Sequence, residues 1–264
     1  MARTLRHNRA HDYSHLIRRW RSVAAKTGLR LVKYSEAASY DLFYLESRRK
    51  RTRVLSLYLS AGIHGDEPAA TEGLIVWAEK NIKLLSECGV LIFPCLNPWA
   101  LVNNCRRDFD GRDLNRSYHT QDVPQITEQL KLIVTRKFDL AYLLHEDFDA
   151  LGNYIYEVNA AKPYWSELIL AAAKKHIAPD PRRKIEGRGA KMGVIRPRVS
   201  PELMPDWPEA FILHYQNVPR VFTVETPSEF HLDDRVEAHA AMLSKAVELT
   251  AKEFALRLRR DPAS

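Results

Sequence analysis

Apolar residues recur along the chain at two spacings, one typical of amphipathic helices and the other of buried strands. The first helix is indicated by the spacing of Leu16, Ile17, Trp20, Val23 and Ala24, and Gly28 follows as a stop signal. The helices predicted in this way span residues 12–26, 69–80, 124–136, 163–175 and 233–257. The predicted strands span residues 29–33, 41–45, 54–60, 90–96, 138–144 and 220–226.

This alternation of strands and helices predicts an α/β fold in which a sheet lies between layers of helices. The sequence contains no internal repeat and no low-complexity linker, so we expect residues 1–264 to form a single domain. Residues 1–28 would be an N-terminal helical segment packed on it. Residues 179–208 are rich in proline and basic side chains and lack a clear period. We expect them to form a long loop region near the functional site.

Composition and charge narrow the class of protein. Hydrophobic residues make up 45% of the chain and charged residues 28%, which is ordinary for a soluble globular protein. The chain contains neither an apolar run long enough to cross a membrane nor the apolar core of an export signal near residue 1, so we expect a cytoplasmic protein without a membrane partner. The net charge of +7 suits nucleic acid, a membrane surface or small anions. Because the basic runs at 48–51 and 182–184 are short and lack interleaved aromatic residues, we predict solvated loops and no nucleic-acid partner.

Polar residues with metal-binding chemistry follow three of the predicted strands. His64 and Glu67 come after the strand at 54–60, His145 follows the strand at 138–144, and Glu225 lies near the end of the strand at 220–226. Open α/β sheets bind ligands at the carboxyl ends of their strands. Two histidines and a glutamate are a catalytic zinc complement that leaves a coordination position open, and a further glutamate can serve as general base.

Each of these residues taken alone has an ordinary structural explanation. An isolated HxxE pair is weak evidence for a metal, His145 could be a hydrogen-bonded structural histidine, and Glu225 could be a solvated strand end. Their joint occurrence at strand ends favours the metal site over these separate explanations.

Further motifs accompany this set in a characteristic order. They are Asn97-Pro98, the string RRDFDGRDLNR at 106–116, HGDE at 64–67, LH at 144–145 and TVETP at 223–227. Together they closely resemble the zinc carboxypeptidase family, which includes carboxypeptidase A and its bacterial murein-peptide relatives. The resemblance implies an eight-stranded mixed, mostly parallel sheet with helices on both faces. It also implies one catalytic Zn²⁺ per chain at the edge of that sheet.

The resemblance also assigns roles to individual residues. It implies that zinc is bound by His64, Glu67 and His145 and that Glu225 is the base. Asp113 resembles the carboxylate that hydrogen-bonds the first ligand histidine.

The arginine-rich string supplies the residues expected to contact substrate. Asn115 and Arg116 match the pair that binds a terminal carboxylate, for which a guanidinium group is well shaped. Arg106 lies nine positions before Asn115, as in the murein-peptide relatives, and would stabilise the oxyanion of the tetrahedral intermediate. The choice of Arg106 over its neighbour Arg107 rests on this spacing alone.

The match weakens at two places. The flexible tyrosine of better-known members has no clear counterpart, and Tyr215, the nearest tyrosine before Glu225, is left unassigned. The residues after His145 are unusually acidic; Glu146 and its neighbours could recognise an amino group, bind a second cation or be solvated.

The resulting expectation is a zinc metallocarboxypeptidase that hydrolyses the C-terminal amide bond of a small peptide with a free carboxylate. The alternative is an N-acyl amino acid deacylase similar to succinylglutamate desuccinylase and aspartoacylase, which shares the same motifs. A third hypothesis, a metal-free protein that binds nucleic acid through its basic surface, predicts no bound metal and a strong dependence of binding on salt.

Overall fold

A computed structural model describes residues 6–47, 53–120, 122–158, 162–200, 202 and 206–260. The helices within these residues are α1 (Tyr13–Thr27), α2 (Pro68–Lys80), α3 (Ile82–Glu87), α4 (Pro98–Asn103), α5 (Pro124–Val134), α6 (Ser166–Ala173), α7 (Glu209–Tyr215) and α8 (Leu232–Arg260). The strands are β1 (Arg30–Ala37), β2 (Tyr40–Glu46), β3 (Ser56–Ala61), β4 (Gly89–Phe93), β5 (Leu140–Asp147), β6 (Tyr154–Glu157), β7 (Lys184–Ile185), β8 (Arg188–Gly189), β9 (Val194–Ile195) and β10 (Val221–Pro227). A short 3₁₀ helix spans Leu114–Arg116.

Eight of these strands form one mixed sheet in the order β1-β2-β4-β3-β5-β10-β6-β9. The centre of the sheet is parallel, because β4 pairs with β3, β3 with β5, and β5 with β10 in the same direction. Strands β1, β2 and β6 join it by antiparallel pairing, and β9 is parallel to β6. The sequence-based prediction of a single α/β domain with this kind of sheet is confirmed.

Alternating side chains of the buried central strand β3 supply a core on each face of the sheet. Leu57 and Leu59 pack in a cluster that includes side chains of α1, α2, α6 and α8. Tyr58, between them, points to the opposite face and packs in a cluster that includes α5 and α7. This period of two gives the sheet an apolar surface on each face, and helices pack on both of them, as the sequence predicts.

Helix α1 is fixed to the domain by its apolar stripe. Asp12 caps its first turn by accepting a hydrogen bond of 2.8 Å from the backbone N–H of His15, and Gly28 ends it in a left-handed conformation with φ of 75°. Trp20 is fully buried in the core that α1 shares with α2.

The structure differs from the sequence-based prediction mainly in its short elements. Strands β6, β7, β8 and β9 and helices α3, α4 and α7 are not predicted from the sequence, because segments of two to seven residues show too few repeats to establish a period. The region at 179–208 therefore contains β7, β8 and β9 rather than irregular loop alone.

None of the helices among the described residues is both long enough and apolar enough to cross a membrane. The basic run at 48–51 lies outside the described residues. In the other basic run, Arg182 donates hydrogen bonds to the carboxylate of Asp180.

Candidate metal centre and active-site cavity

The parallel centre of the sheet brings three polar strand ends to one edge. Ala61 at the end of β3 pairs with Leu144 of β5, and Glu225 of β10 pairs with His145 of β5. The chain that leaves β3 therefore passes directly beside His145. This register explains how residues far apart in sequence meet at one point.

The loop that carries the HGDE motif depends on glycine. At Gly62 the backbone has φ of 66°, a conformation that side chains disfavour. At Gly65 a Cβ atom would lie 1.9 Å from the backbone carbonyl carbon of Ala100 in α4. Only glycine allows this close approach, and the approach sets the path of the loop between His64 and Glu67.

Asn97, which precedes Pro98, ties the same loop to α4. Its backbone N–H donates to the carbonyl of Gly62 at 2.8 Å, and its side-chain amide donates to the carbonyl of Ile63 at 3.4 Å. Its side-chain oxygen accepts from the N–H of Ala100 and caps α4. The Asn-Pro motif is therefore a local brace for the loop that presents His64.

Gly65→Ala is expected to destabilise the protein by about 1–3 kcal/mol, the usual cost of overpacking, because the new methyl group meets rigid backbone. The displaced loop should also weaken metal binding. Urea unfolding and a chelator competition would measure the two effects. Gly189→Ala is the matched control, since a Cβ there meets no atom within 4 Å; equal stability of the two variants would contradict the prediction.

The side chains of His64, Glu67 and His145 form a buried donor group, in which one ligand atom from each residue lies within 4.8 Å of the others. Nδ1 of His64 lies 2.5 Å from Oε1 of Glu67, and Nδ1 of His145 lies 3.0 Å from Oε2 of Glu67. Two imidazoles and a carboxylate are one of the ligand sets found in catalytic zinc sites. Among the described residues this is the one such group of histidine, cysteine and carboxylate side chains.

The carboxylate of Glu67 fits a cation in two further respects. Its Oε2 atom is buried and has no hydrogen-bond partner within the described chain, because the contact with His145 lacks hydrogen-bond geometry. Burial alone would raise the pKa of Glu67, but the facing His64 and His145 outweigh it and hold the pKa well below its ordinary value. An ionised carboxylate with an oxygen that accepts no hydrogen bond can coordinate a metal ion.

Asp113 orients the outer side of His64. Its Oδ1 lies 3.2 Å from Nε2 of His64 and also accepts from the N–H of Asn115 at 3.0 Å. Its Oδ2 accepts from the guanidinium of Arg106 at 3.0 and 3.2 Å. Burial opposes ionisation, but His64 and Arg106 lower the pKa of Asp113. The carboxylate thus holds the Nδ1 atom of His64 toward Glu67.

Asp113→Ala is expected to weaken metal binding about 10- to 100-fold, the usual effect of removing the partner of a ligand histidine. Competition with a chromophoric chelator would measure the affinity. Asp110→Ala removes the same charge from an exposed position in the same loop and should leave the affinity unchanged; a similar loss in both variants would point to a general charge effect instead.

Arg106 lies against the donor group, whereas Arg107 does not. Its Nη1 atom is 3.3 Å from Nδ1 of His64 and 3.7 Å from Oε1 of Glu67. Arg107 instead donates to the carbonyl of Gly111 at 2.9 Å, on the exposed outside of the loop. Of these two neighbours, Arg106 is therefore the one that lies beside the donor group.

Glu225 is buried on β10 beside His145, with 9% of its surface exposed. Burial raises the pKa of Glu225 well above its ordinary value; His145 opposes the shift, and Glu67 adds to it. A raised pKa makes the ionised carboxylate of Glu225 a stronger base than an exposed one.

These residues line a cavity of about 430 Å³, a size typical of small-ligand sites. Arg106 and Arg116 give one part of its wall a positive charge, and the neutral amide of Asn115 lies between them in the sequence. Several wall residues were not singled out from the sequence; they are Phe148, Tyr154, Tyr156, Glu186, Arg188, Pro197, Val199, Asp206 and Phe211. Six wall residues, including Glu186 and Asp206, come from the region at 179–208.

Tyrosines do line the cavity, although Tyr215 is not among them. Tyr154 and Tyr156 lie on the same face of β6, and Tyr154 pairs with Glu225 of the neighbouring strand. Their spacing of two residues is typical of a strand face, but a strand of four residues is too short to be predicted from that spacing. Tyr215 is half exposed and packs against Phe211, with tilted rings whose centroids are 4.6 Å apart.

The acidic residues after His145 take different positions. Glu146 is buried, accepting from the N–H of Ala69 in α2 at 2.6 Å and from Arg235 of α8. Burial raises the pKa of Glu146 to about 7, although Arg235 opposes the shift. Asp147 lines the cavity and accepts from the hydroxyl of Tyr154 at 3.0 Å. Glu146 is thus a brace between β5, α2 and α8 rather than a solvated loop residue.

The segment that carries the ligand motifs also matches a known family. Residues 53–156 match the model of the succinylglutamate desuccinylase/aspartoacylase catalytic domain. No curated protein matches the chain significantly by sequence.

Solved structures share the fold over most of the chain. A protein from Shewanella baltica, provisionally named a metallopeptidase, has a TM-score of 0.81 at 20% identity, covering 91% of this chain and 93% of that one. A metallo-carboxypeptidase from Burkholderia cenocepacia has a TM-score of 0.69 at 15% identity, covering 92% and 70%. A metallo-carboxypeptidase from Pseudomonas aeruginosa, solved with (2-guanidinoethylmercapto)succinic acid, has a TM-score of 0.69 at 17% identity, covering 92% and 69%.

The fold is therefore zinc carboxypeptidase-like, which confirms the resemblance inferred from the motifs. The family match and the His-Glu-His group together support a metal-dependent hydrolase.

Proposed function

We propose that this metallohydrolase of carboxypeptidase-like fold uses zinc to hydrolyse the C-terminal amide bond of a small peptide with a free carboxylate. The observation that carries the proposal is the composition of one cavity. Its wall contains the donor group His64, Glu67 and His145, the buried Glu225, and the cationic residues of the 106–116 segment. Together they supply a metal site, a base and cations for a carboxylate, as metal-assisted hydrolysis of such an amide would use.

In this proposal His64, Glu67 and His145 hold one zinc ion. Bound zinc supplies Lewis acidity, which polarises a carbonyl and makes water acidic near neutral pH. Glu225 takes the proton of the attacking water and returns it to the leaving nitrogen. Its burial suits the first step, since it raises the affinity of Glu225 for a proton.

Arg106 faces the oxyanion that develops on the carbonyl oxygen. Its guanidinium is fixed by Asp113 and lies beside the donor group, so the cation is oriented before substrate arrives. Asn115 and Arg116 bind the free carboxylate of the substrate through side-chain N–H groups. Holding that carboxylate fixes the scissile bond near the reacting groups. The succinic acid derivative bound to the Pseudomonas aeruginosa neighbour also carries carboxylates, which supports this use of the fold.

A second reaction is favoured by a separate observation. The match of residues 53–156 to the succinylglutamate desuccinylase/aspartoacylase catalytic domain supports removal of an acyl group from an N-acyl amino acid. The same residues would serve, because both reactions hydrolyse an amide and both substrates carry a free carboxylate.

Turnover of a substrate panel by the zinc-loaded protein tests the proposal. The panel pairs peptides with free and amidated C-termini and adds N-succinyl and N-acetyl amino acids. We expect cleavage of the free peptides and loss of turnover on amidation. Cleavage of the acyl amino acids alone would show that the protein is a deacylase and not a peptidase. A lack of turnover of every member of the panel would contradict both hypotheses.

A further inference from the structure

The side-chain amide of Asn115 has a fixed direction. Its Oδ1 atom accepts a hydrogen bond of 3.0 Å from the backbone N–H of Glu209, the first residue of α7. A backbone N–H can bond only to the oxygen of an amide, so the two ends of the Asn115 side chain cannot be exchanged. The Nδ2 donor is thereby turned away from α7, on a residue that lines the cavity.

The carboxylate of Glu209 anchors the start of α7 to the sheet. It is 1% exposed and accepts from the hydroxyls of Tyr58 and Ser60 in β3 and from the amide of Gln129 in α5; the Ser60 and Gln129 bonds are both 2.8 Å long. Burial raises the pKa of Glu209, and these three hydrogen bonds oppose that shift.

The same helix start forms part of the cavity wall. Pro208, Ala210 and Phe211 line the cavity, while the Glu209 side chain points away from it into the sheet. Glu209 also makes no hydrogen bond to the donor group His64, Glu67 and His145 among the described residues. His145 nevertheless lies close enough to lower the pKa of Glu209, so an inhibitor that binds the metal is needed to separate an effect on the metal from one exerted through α7 and Asn115.

We propose that Glu209 is a positioning residue whose anchored carboxylate holds the N-terminus of α7 so that its N–H directs the Nδ2 of Asn115 toward the substrate carboxylate. The inference rests on the proposed function, because it assumes that Asn115 binds that carboxylate. It adds a residue outside the motif set as a determinant of carboxylate affinity.

The full-length, zinc-loaded protein provides the test. Tyr58→Phe removes one donor to Glu209 and should raise KM about 3- to 10-fold, the effect of about one hydrogen bond, with kcat within about twofold. Glu209→Ala should raise KM further, and Glu209→Gln, which keeps an acceptor oxygen, should restore it toward the wild-type value. The inhibition constant of the carboxylate-bearing amino acid product should rise in parallel with KM.

Two controls separate positioning from a general structural effect. Tyr142→Phe alters another fully buried tyrosine, on β5 and the opposite face of the sheet, and should change neither KM nor kcat. Acetohydroxamate, a metal-binding inhibitor without a carboxylate, should keep its inhibition constant in every variant. If Glu209→Ala does not fold, Tyr58→Phe and Ser60→Ala carry the test.

Parallel changes in kcat and in the inhibition constants of both inhibitors would overturn the inference in favour of a structural role. The inference would also be overturned if KM stays unchanged in Tyr58→Phe and in Glu209→Ala although Asn115→Ala raises KM. An unchanged KM in Asn115→Ala itself would instead refute the carboxylate contact in the proposed function.

Discussion

Glu225→Gln is expected to lower kcat about 10²- to 10⁴-fold, the range typical for loss of general acid–base catalysis, while the protein stays folded and keeps its metal. Glutamine has nearly the same shape as glutamate but cannot take a proton from water. Because Glu225 lies on β10 and does not belong to the donor group of His64, Glu67 and His145, its replacement leaves the ligands in place. KM should change much less than kcat.

Steady-state kinetics combined with metal analysis checks this result. Glu229→Gln is the matched control, since it makes the same change at an exposed glutamate four residues later. Full turnover in Glu225→Gln would refute its role as base. Loss of both turnover and metal would show instead that Glu225 supports the metal site.

Much of the site could be predicted because its residues follow the best-defined strands. The strands ending near Ala61, His145 and Glu225 are buried and central, so their apolar runs are clear in the sequence. Parallel strands place their carboxyl ends at one edge, and this rule alone brings the three polar strand ends together.

What the sequence did not predict depends on short elements or on side-chain direction. Tyr154 and Tyr156 lie on a four-residue strand, and Glu186 lies in the turn between two-residue strands. No periodicity can identify such elements. Arg106 and Arg107 are chemically identical neighbours; the sequence favoured Arg106 by spacing alone, and the direction of each side chain is seen only in the structure. The burial of Glu146 likewise follows from contacts with α2 and α8 that are remote in sequence.

Removal of the metal is expected to abolish turnover, with a loss of about 10³-fold or more, since Lewis-acid stabilisation contributes several kcal/mol to such reactions. Added Zn²⁺ should restore activity, whereas Mg²⁺ should not, because two of the three donors are imidazole nitrogens and Mg²⁺ prefers oxygen ligands. Dialysis against a chelator, followed by titration with each ion, measures both responses. Titration to one equivalent would also give the stoichiometry.

The same titration should raise the melting temperature, because an ion that binds only the folded chain stabilises it by about 2.7 kcal/mol at a free concentration of 100 times Kd. His145→Ala provides the control: without one of the three donors, Zn²⁺ should raise neither activity nor melting temperature at the concentration that saturates the wild type. Undiminished activity of the chelated wild-type protein would exclude a metal-dependent reaction. Recovery of the melting temperature without recovery of turnover would show that the ion is bound but the catalytic groups lie elsewhere.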